Sequence, residues 1–312
     1  NGEDLGIYAV EEHFDNKLIE SNDRRDGLIL RFDEKWDWLS ANQFKKYPEG
    51  WQHRSGYGDY NALPLTSFNI NELAKDSTKV QYLFDSKLLM QKFLNKEYKT
   101  SDIFDIDKLA RFYALVDLLG AQHSILIQNL RLYYNPIIGK FEPVGFDGDL
   151  NNTTNFSLSF MIREDVNQQD YYINLFADLK FFKVYLRELN NYSNSNFIEK
   201  VFVEFDNDLL DVQKVIDHEW KNRHLIKSNF FRKRDYIREI LDPIRLIESS
   251  FMKIDENKVL IRVSNFQKLP LTNFKLIIND TLSLIAKENI IINGRLSKDL
   301  IQQKDLEFIL PK

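Results

Sequence analysis

The chain has no cysteine among its 312 residues. Without thiols it can form no disulfide, no thiolate zinc site and no cysteine nucleophile. The cellular compartment stays open on this evidence, because cytosolic proteins and exported bacterial proteins can both lack cysteine.

Glycine, proline and long apolar runs are also scarce. The chain has 11 glycines and 7 prolines, while 43% of its residues are hydrophobic, which excludes collagen-like and disordered chains and predicts a buried core. A membrane-spanning helix needs about 20 largely apolar residues, and the sequence offers no such run. We therefore predict no membrane span.

The chain has no excess of positive charge. Its 42 lysines and arginines stand against 47 acidic residues, a formal net charge of −5. A general binder of nucleic acid or of anionic membranes needs clustered positive charge, so we expect neither partner. The sequence also lacks a P-loop, a G-x-S-x-G nucleophile motif and a dinucleotide-binding fingerprint.

Hydrophobic periodicity predicts an α+β fold. In chain order, the predicted elements are a strand at 5–10, a helix at 11–22, a strand at 27–32, an irregular aromatic segment at 35–80, helices at 86–96 and about 105–120, a hairpin at 125–146, helices over 170–250, and short strands at 258–263, 274–278 and 289–292. We expect a main domain over 1–255 and a small C-terminal all-β appendage over 256–312. Because a strand is predicted so close to residue 1, we expect the main domain to begin upstream. The appendage is short for an independent domain, so we expect it to be incomplete.

The hairpin contains the most informative polar side chains. Its two strands flank a turn at 135–139, and the residue numbers of partners across the ladder should sum to about 274 or 275. This register brings Asn129 close to Asp147, with Asp149 two residues further on. An amide oxygen beside carboxylates suits a hard cation such as magnesium. The alternative is that 147–149 form a solvated turn.

Three segments also carry a family pattern: GIYAVEE at 6–12, GLILRF at 27–32 and, longest, NLRLYYNPIIGKFEPVGFDGD at 129–149. Together they resemble the CotH family of spore-coat atypical protein kinases, over about residues 5–150. The resemblance implies an atypical protein-kinase-like two-lobed core, in which the helical stretch to about 250 completes the larger lobe.

The resemblance implies transfer of phosphate from ATP to serine or threonine of a protein substrate, with magnesium or manganese. Asp147 matches the family's metal-binding aspartate, and Asn129 matches the asparagine that holds a second metal. Glu12 and Arg31 match the glutamate and the lysine that organise the phosphates. On their residue types alone, Glu12 is a solvated carboxylate in the first turn of a helix, and Arg31 is a charge at a strand edge.

The catalytic base departs from the kinase pattern. Kinases place an aspartate five residues before the metal-binding asparagine, whereas this chain has Ser124 there, with His123 adjacent. His123 is a candidate general base, or alternatively a histidine that packs at a helix C-terminus. Two functions therefore remain open. One is a CotH-like kinase, outside the cytoplasm or at the cell surface of a bacterium. The other is a catalytically silent kinase-like surface or coat-associated binding protein.

Overall fold

The computed structural model describes residues 6–8, 11–33, 64–68, 70–149, 157–161, 169–221, 223–244, 247–288, 290–295 and 301–311, together with positions 35, 39 and 46. Its contacts group the chain into two units, Asn1–Asp235 and Tyr236–Lys312. Helices and antiparallel strands both contribute to the fold, so the α+β class predicted from the sequence is confirmed.

The first unit is mainly helical. Its helices are α1 (Asn16–Ser21), α2 (Ile70–Leu73), α3 (Ser77–Leu94), α4 (Thr100–Ile103), α5 (Ile106–Leu119), α6 (Gln169–Ala177), α7 (Leu179–Asn194), α8 (Phe197–Glu204), α9 (Asp206–Glu219) and α10 (Lys227–Leu241), the last of which crosses into the second unit. Its strands are β1 (Leu28–Phe32), β2 (Leu65–Ser67), β3 (Arg131–Asn135) and β4 (Lys140–Val144). Short 3-10 helices cover Gln122–Ile125 and Ser159–Met161.

The four strands of this unit form one antiparallel sheet in the order β2-β1-β3-β4. Arg131 pairs with Val144 and Asn135 with Lys140, which confirms the register predicted for the hairpin. The predicted first strand was too long, because the chain before Arg131 makes local turns. The N–H groups of Asn129 and Leu130 both donate to the carbonyl of Leu126 at 2.8 Å, so the Asn129 N–H is not available to a ladder.

Helix α5 forms where the apolar pattern predicted it and packs against α7. Asp105 caps its start, accepting from the Lys108 N–H at 3.3 Å. Gly120 ends it in the left-handed region, with φ of 73°. Side chains on most of its circumference are buried, as expected for a helix inside a core: Leu109, Ala110, Tyr113, Ala114, Val116 and Leu118.

We expect Gly120→Ala to lower the free energy of unfolding by about 2 kcal/mol. An alanine at this position has to adopt a left-handed backbone conformation. Its Cβ also overlaps Nζ of the buried Lys233, which would have to move. Gly139→Ala is the matched control, because its φ is 62° but the nearest side-chain atom lies 3.9 Å away. Urea denaturation of both variants measures the difference. Equal losses would contradict a steric role for Lys233.

The N-terminal predictions are partly tested. Residues 6–8 of the predicted strand at 5–10 are in neither helix nor strand, and the rest of that segment lies outside the described residues. Helix α1 is shorter than the predicted helix at 11–22, because Asp15 caps it and accepts from the Lys17 N–H at 2.8 Å. Most of the segment at 35–80 also lies outside the described residues. The C-terminal part of this segment is described, and it contains β2, α2 and the start of α3, none of which was predicted.

The second unit is rich in strands. They are β5 (Ile247–Asp255), β6 (Lys258–Asn265), β7 (Lys275–Ile278), β8 (Leu282–Ile285) and β9 (Gln302–Ile309). Strands β5, β6 and β9 form one antiparallel sheet, and β7 pairs with β8. Its core contains Val259, Val263, Leu284, Ile292, Leu306 and Phe308. The boundary predicted after residue 255 falls in the turn between β5 and β6, which pair along their length.

Among the described helices, none combines the length and the apolar character needed to cross a bilayer.

Candidate functional site

Three predicted residues meet beside the open end of the β3–β4 hairpin. His123 lies in the 3-10 helix after α5, Asn129 in the turn before β3, and Asp147 three residues after β4. The Nδ1 atom of His123 lies 3.1 Å from Oδ2 of Asp147 and 3.0 Å from Nδ2 of Asn129. Asn129 is buried, whereas the other two side chains are close to half exposed. The site is thus anchored on one side and open on the other.

The two contacts to Nδ1 of His123 require different protonation states. A protonated Nδ1 donates to the Asp147 carboxylate, while an unprotonated Nδ1 accepts from the Asn129 amide. The Asn129 amide also donates to the His123 carbonyl oxygen at 3.0 Å, so it keeps a partner in either state. We assign the proton to Nδ1, since a hydrogen bond to a carboxylate is the stronger of the two. In the neutral ring, Nε2 is then the atom that can accept a proton.

The backbone of Asp147 is strained. Its φ is 47°, in the left-handed region that residues other than glycine seldom adopt, although aspartate tolerates it better than most. Such conformations persist where surrounding contacts hold them, and they concentrate at functional sites. The contact with His123 is one interaction that holds the Asp147 side chain in this place.

A cavity of about 510 Å³ opens next to Asp147. Polar residues on its wall include Glu12, Ser124 and Asp147, and its apolar residues include Phe112 and Phe146. The structure therefore brings Glu12 to the same cavity as Asp147. Glu12 is exposed and precedes α1, so it does not lie in the first turn of a helix as its residue type alone allowed.

Arg31 lies on β1 and is not on the described wall of this cavity. It is exposed, with its guanidinium carbon 4.7 Å from the centre of the Phe68 ring. The same ring lies 5.5 Å from the guanidinium carbon of Arg131. Arg31 and Arg131 thus contact the same aromatic ring.

Arg131 is a buried residue near the site that we did not single out from the sequence. Its guanidinium lies 4.5 Å from the Phe146 ring and 5.6 Å from the Phe14 ring, and it donates to the Gln128 carbonyl at 2.7 Å. These contacts position Phe146, the residue immediately before Asp147. Arg131 is two residues after Asn129 in the sequence, so strand alternation puts both on one face, which is the signal that could have identified it.

Asp117 is a second residue that sequence reasoning missed. It is buried near the end of α5 and accepts from Ser159 N at 2.8 Å, Ser159 Oγ at 2.7 Å and the Tyr185 hydroxyl at 2.5 Å. Burial raises the pKa of Asp117 to about 6, although these hydrogen bonds act in the opposite direction. Gln122, the neighbour of His123, lies 3.5 Å from the same carboxylate and donates to the Ser157 carbonyl at 3.2 Å. Asp117 thus links the site's 3-10 helix to the segment at 157–161.

The predicted metal ligands are only partly assembled. No group of three or more histidine, aspartate and glutamate side chains suited to a metal occurs in the part of the chain that the structure describes. Asp147 uses Oδ2 for His123, and Asn129 uses its amide nitrogen, so Oδ1 of each remains the atom suited to a hard cation. Asp149 is exposed two residues beyond Asp147. The residue types suit magnesium, which proteins bind through one or two carboxylates together with phosphate and water.

Comparison with known proteins gives no matching family model, and no curated protein matches the sequence.

Proposed function

We propose that the chain is a CotH-like kinase that transfers phosphate from ATP to serine or threonine of a protein, with magnesium or manganese, outside the cytoplasm or at the cell surface of a bacterium. The observation that supports this most is the meeting of His123, Asn129 and Asp147 at one point of the fold. The motif resemblance selected Asn129 and Asp147 from the sequence, and His123 entered as the substitute for a missing aspartate.

In this proposal His123 takes the proton from the attacking hydroxyl. The Asp147 carboxylate holds Nδ1 and thereby orients the ring, and Nε2 receives the proton. Asp147 also stabilises the imidazolium that forms, because the two groups are 3.1 Å apart. Asn129 donates to the carbonyl of His123 at 3.0 Å and so holds the backbone of that residue from its buried side.

Oδ1 of Asp147 and Oδ1 of Asn129 are the atoms we propose to hold the divalent metal. When bound, the metal neutralises charge on the phosphates of the nucleotide. Glu12 lies on the wall of the same cavity as Asp147 and would bind this metal or a cationic group near it. Arg31 is outside the described lining of this cavity, and its role at the phosphates stays a prediction of the resemblance.

The alternative is a kinase-like binding protein without catalysis. Two features favour it: no carboxylate occupies the usual position of the catalytic base, and Phe146 occupies part of the cavity wall. Both functions are compatible with nucleotide binding, so they are separated by whether phosphate is transferred.

The test is a calorimetric titration of ATP into the protein with and without magnesium, beside the variant Asp147→Asn. We expect magnesium to increase the affinity for ATP. In the presence of magnesium, the variant should bind ATP about tenfold more weakly than the unsubstituted protein, because an amide is a weaker ligand than a carboxylate. Asp280→Asn is the matched control, since Asp280 is also exposed and has a φ of 58°. Absence of ATP binding by the unsubstituted protein would reject the kinase proposal.

A further inference from the structure

A second cavity, of about 470 Å³, has an unusual combination of walls. Three cationic side chains line it, Arg24, Lys108 and Arg111, and Glu142 is the one acidic residue among its described lining. The rest of the described wall is mostly apolar, with Leu18, Ile19, Ile29, Phe112, Leu115, Tyr133, Pro143 and Val144. A chain of net charge −5 thus concentrates positive charge around one apolar cavity.

Glu142 organises two of these cations. It is buried, its Oε1 accepts from Lys108 Nζ and from Asn135 Nδ2, both at 2.7 Å, and its Oε2 lies 3.3 Å from Arg24. Both oxygens of the carboxylate are therefore engaged within the protein. The side chains of Lys108 and Arg24 remain about one third exposed, and both line the cavity.

Arg111 is the cation best placed for an external anion. It lies one helical turn after Lys108 on α5, is exposed, and makes no ion pair with any residue that the structure describes. Lys108 is also paired with Asp105 at 3.4 Å, so two carboxylates face the three cations and Arg111 supplies the positive charge that a ligand can neutralise.

The cation-lined cavity adjoins the cavity beside Asp147. The two have five lining residues in common: Leu18, Phe112, Leu115, Val144 and Gly145. A flexible chain that lies across these shared residues has one part near Asp147 and another near Arg111. An extended peptide meets this requirement, since neighbouring side chains along it can be an anion, an apolar group and a hydroxyl.

We propose that the cation-lined cavity binds an acidic segment of the protein substrate, with aspartate or glutamate at Arg24, Lys108 and Arg111 and apolar side chains on the remaining wall. This inference rests on the proposed function, because it presents a serine or threonine of the same segment to the site at His123 and Asp147. It assigns the acceptor class, acidic and partly apolar, that the resemblance leaves open.

The test uses two fluorescein-labelled peptides and no nucleotide. One has a single serine flanked by glutamate and leucine, and the other has lysine at each glutamate position. We expect fluorescence anisotropy at low salt to show tighter binding of the acidic peptide, with Arg111→Glu weakening it about tenfold. Lys87→Glu, a reversal of an exposed charge on α3, serves as the control and should leave the affinity unchanged.

Two further measurements separate this inference from the proposed function. Asp147→Asn should bind the acidic peptide as well as the unsubstituted protein does, even if phosphate transfer is lost. Arg111→Glu should keep its affinity for ATP with magnesium. Equal binding of the two peptides, no binding of either, or equal losses in Arg111→Glu and Lys87→Glu would overturn the inference. So would a variant Arg111→Glu that loses ATP but keeps the peptide.

Discussion

Replacing His123 with glutamine is expected to lower kcat for phosphate transfer by about two to four orders of magnitude. Glutamine keeps a polar side chain beside Asp147 and Asn129 but cannot take a proton from the attacking hydroxyl. Because His123 touches the predicted metal ligands without being one itself, the affinity for ATP with magnesium should change much less than kcat. Transfer of labelled phosphate to an acidic acceptor peptide, together with calorimetry of ATP binding, measures both quantities.

His224→Gln is a suitable control for this experiment. His224 is also exposed and has a polar contact with its own segment, at 3.0 Å from the Lys221 carbonyl, yet it is not part of the candidate site. Its variant should retain full activity. Full activity of His123→Gln would exclude His123 as the base. Loss of ATP affinity together with kcat would instead assign it a binding role.

The sequence predicted the hairpin well because the information is local. A turn flanked by two alternating strands determines which residues are opposite, and the observed pairs Arg131 with Val144 and Asn135 with Lys140 agree with the predicted register. This was enough to expect Asn129 near Asp147. It was not enough to predict how the two residues are connected. His123 lies between them, and it belongs to a 3-10 helix that the strand pattern did not predict.

The other site features depend on contacts between distant segments. Strand alternation can assign Arg31 to a face of β1, but the ring that it covers, Phe68, lies in another segment. The cation-lined cavity likewise joins Arg24, which follows α1, to Lys108 and Arg111 of α5. Asp117 looks in the sequence like any polar residue of an apolar helix, and only the fold places Ser159 and Tyr185 around it. Periodicity identifies elements, but it cannot identify such partners.

We expect Asp117 to make stability depend on pH in an unusual direction. Its pKa in the folded protein is raised from the ordinary value of 3.8 to about 6, so between these values the folded state retains a proton that the unfolded chain has lost. The contribution of Asp117 to the free energy of unfolding is therefore complete below pH 4 and is lost as pH rises through 6. For a difference of roughly two pKa units the loss is on the order of 3 kcal/mol.

The variant Asp117→Asn measures this effect, because an amide of the same shape is neutral at every pH. Urea denaturation at pH 4, 5, 6 and 7 should show the unsubstituted protein losing stability relative to the variant as pH rises. The neighbouring Lys233 acts as an opposing group. Burial lowers the pKa of its ammonium and the Asp117 carboxylate raises it, so a charged Lys233 favours ionised Asp117 and reduces the loss.

Asp178→Asn should show the opposite dependence and so controls for the method. Burial alone would raise the pKa of Asp178, but hydrogen bonds from the Ser101 and Lys180 N–H groups, at 2.7 and 2.9 Å, hold it below its ordinary value. Its contribution is therefore present above the unfolded pKa of 3.8 and is lost as pH falls through the lower folded pKa, the reverse of Asp117, so this control is measured with further points below pH 4. A pH-independent difference for Asp117→Asn beside a normal result for Asp178→Asn would mean that Asp117 is ionised in the folded protein. The negative charge of the carboxylate that accepts from Ser159 and Tyr185 would then be balanced by Lys233 as its counter-ion.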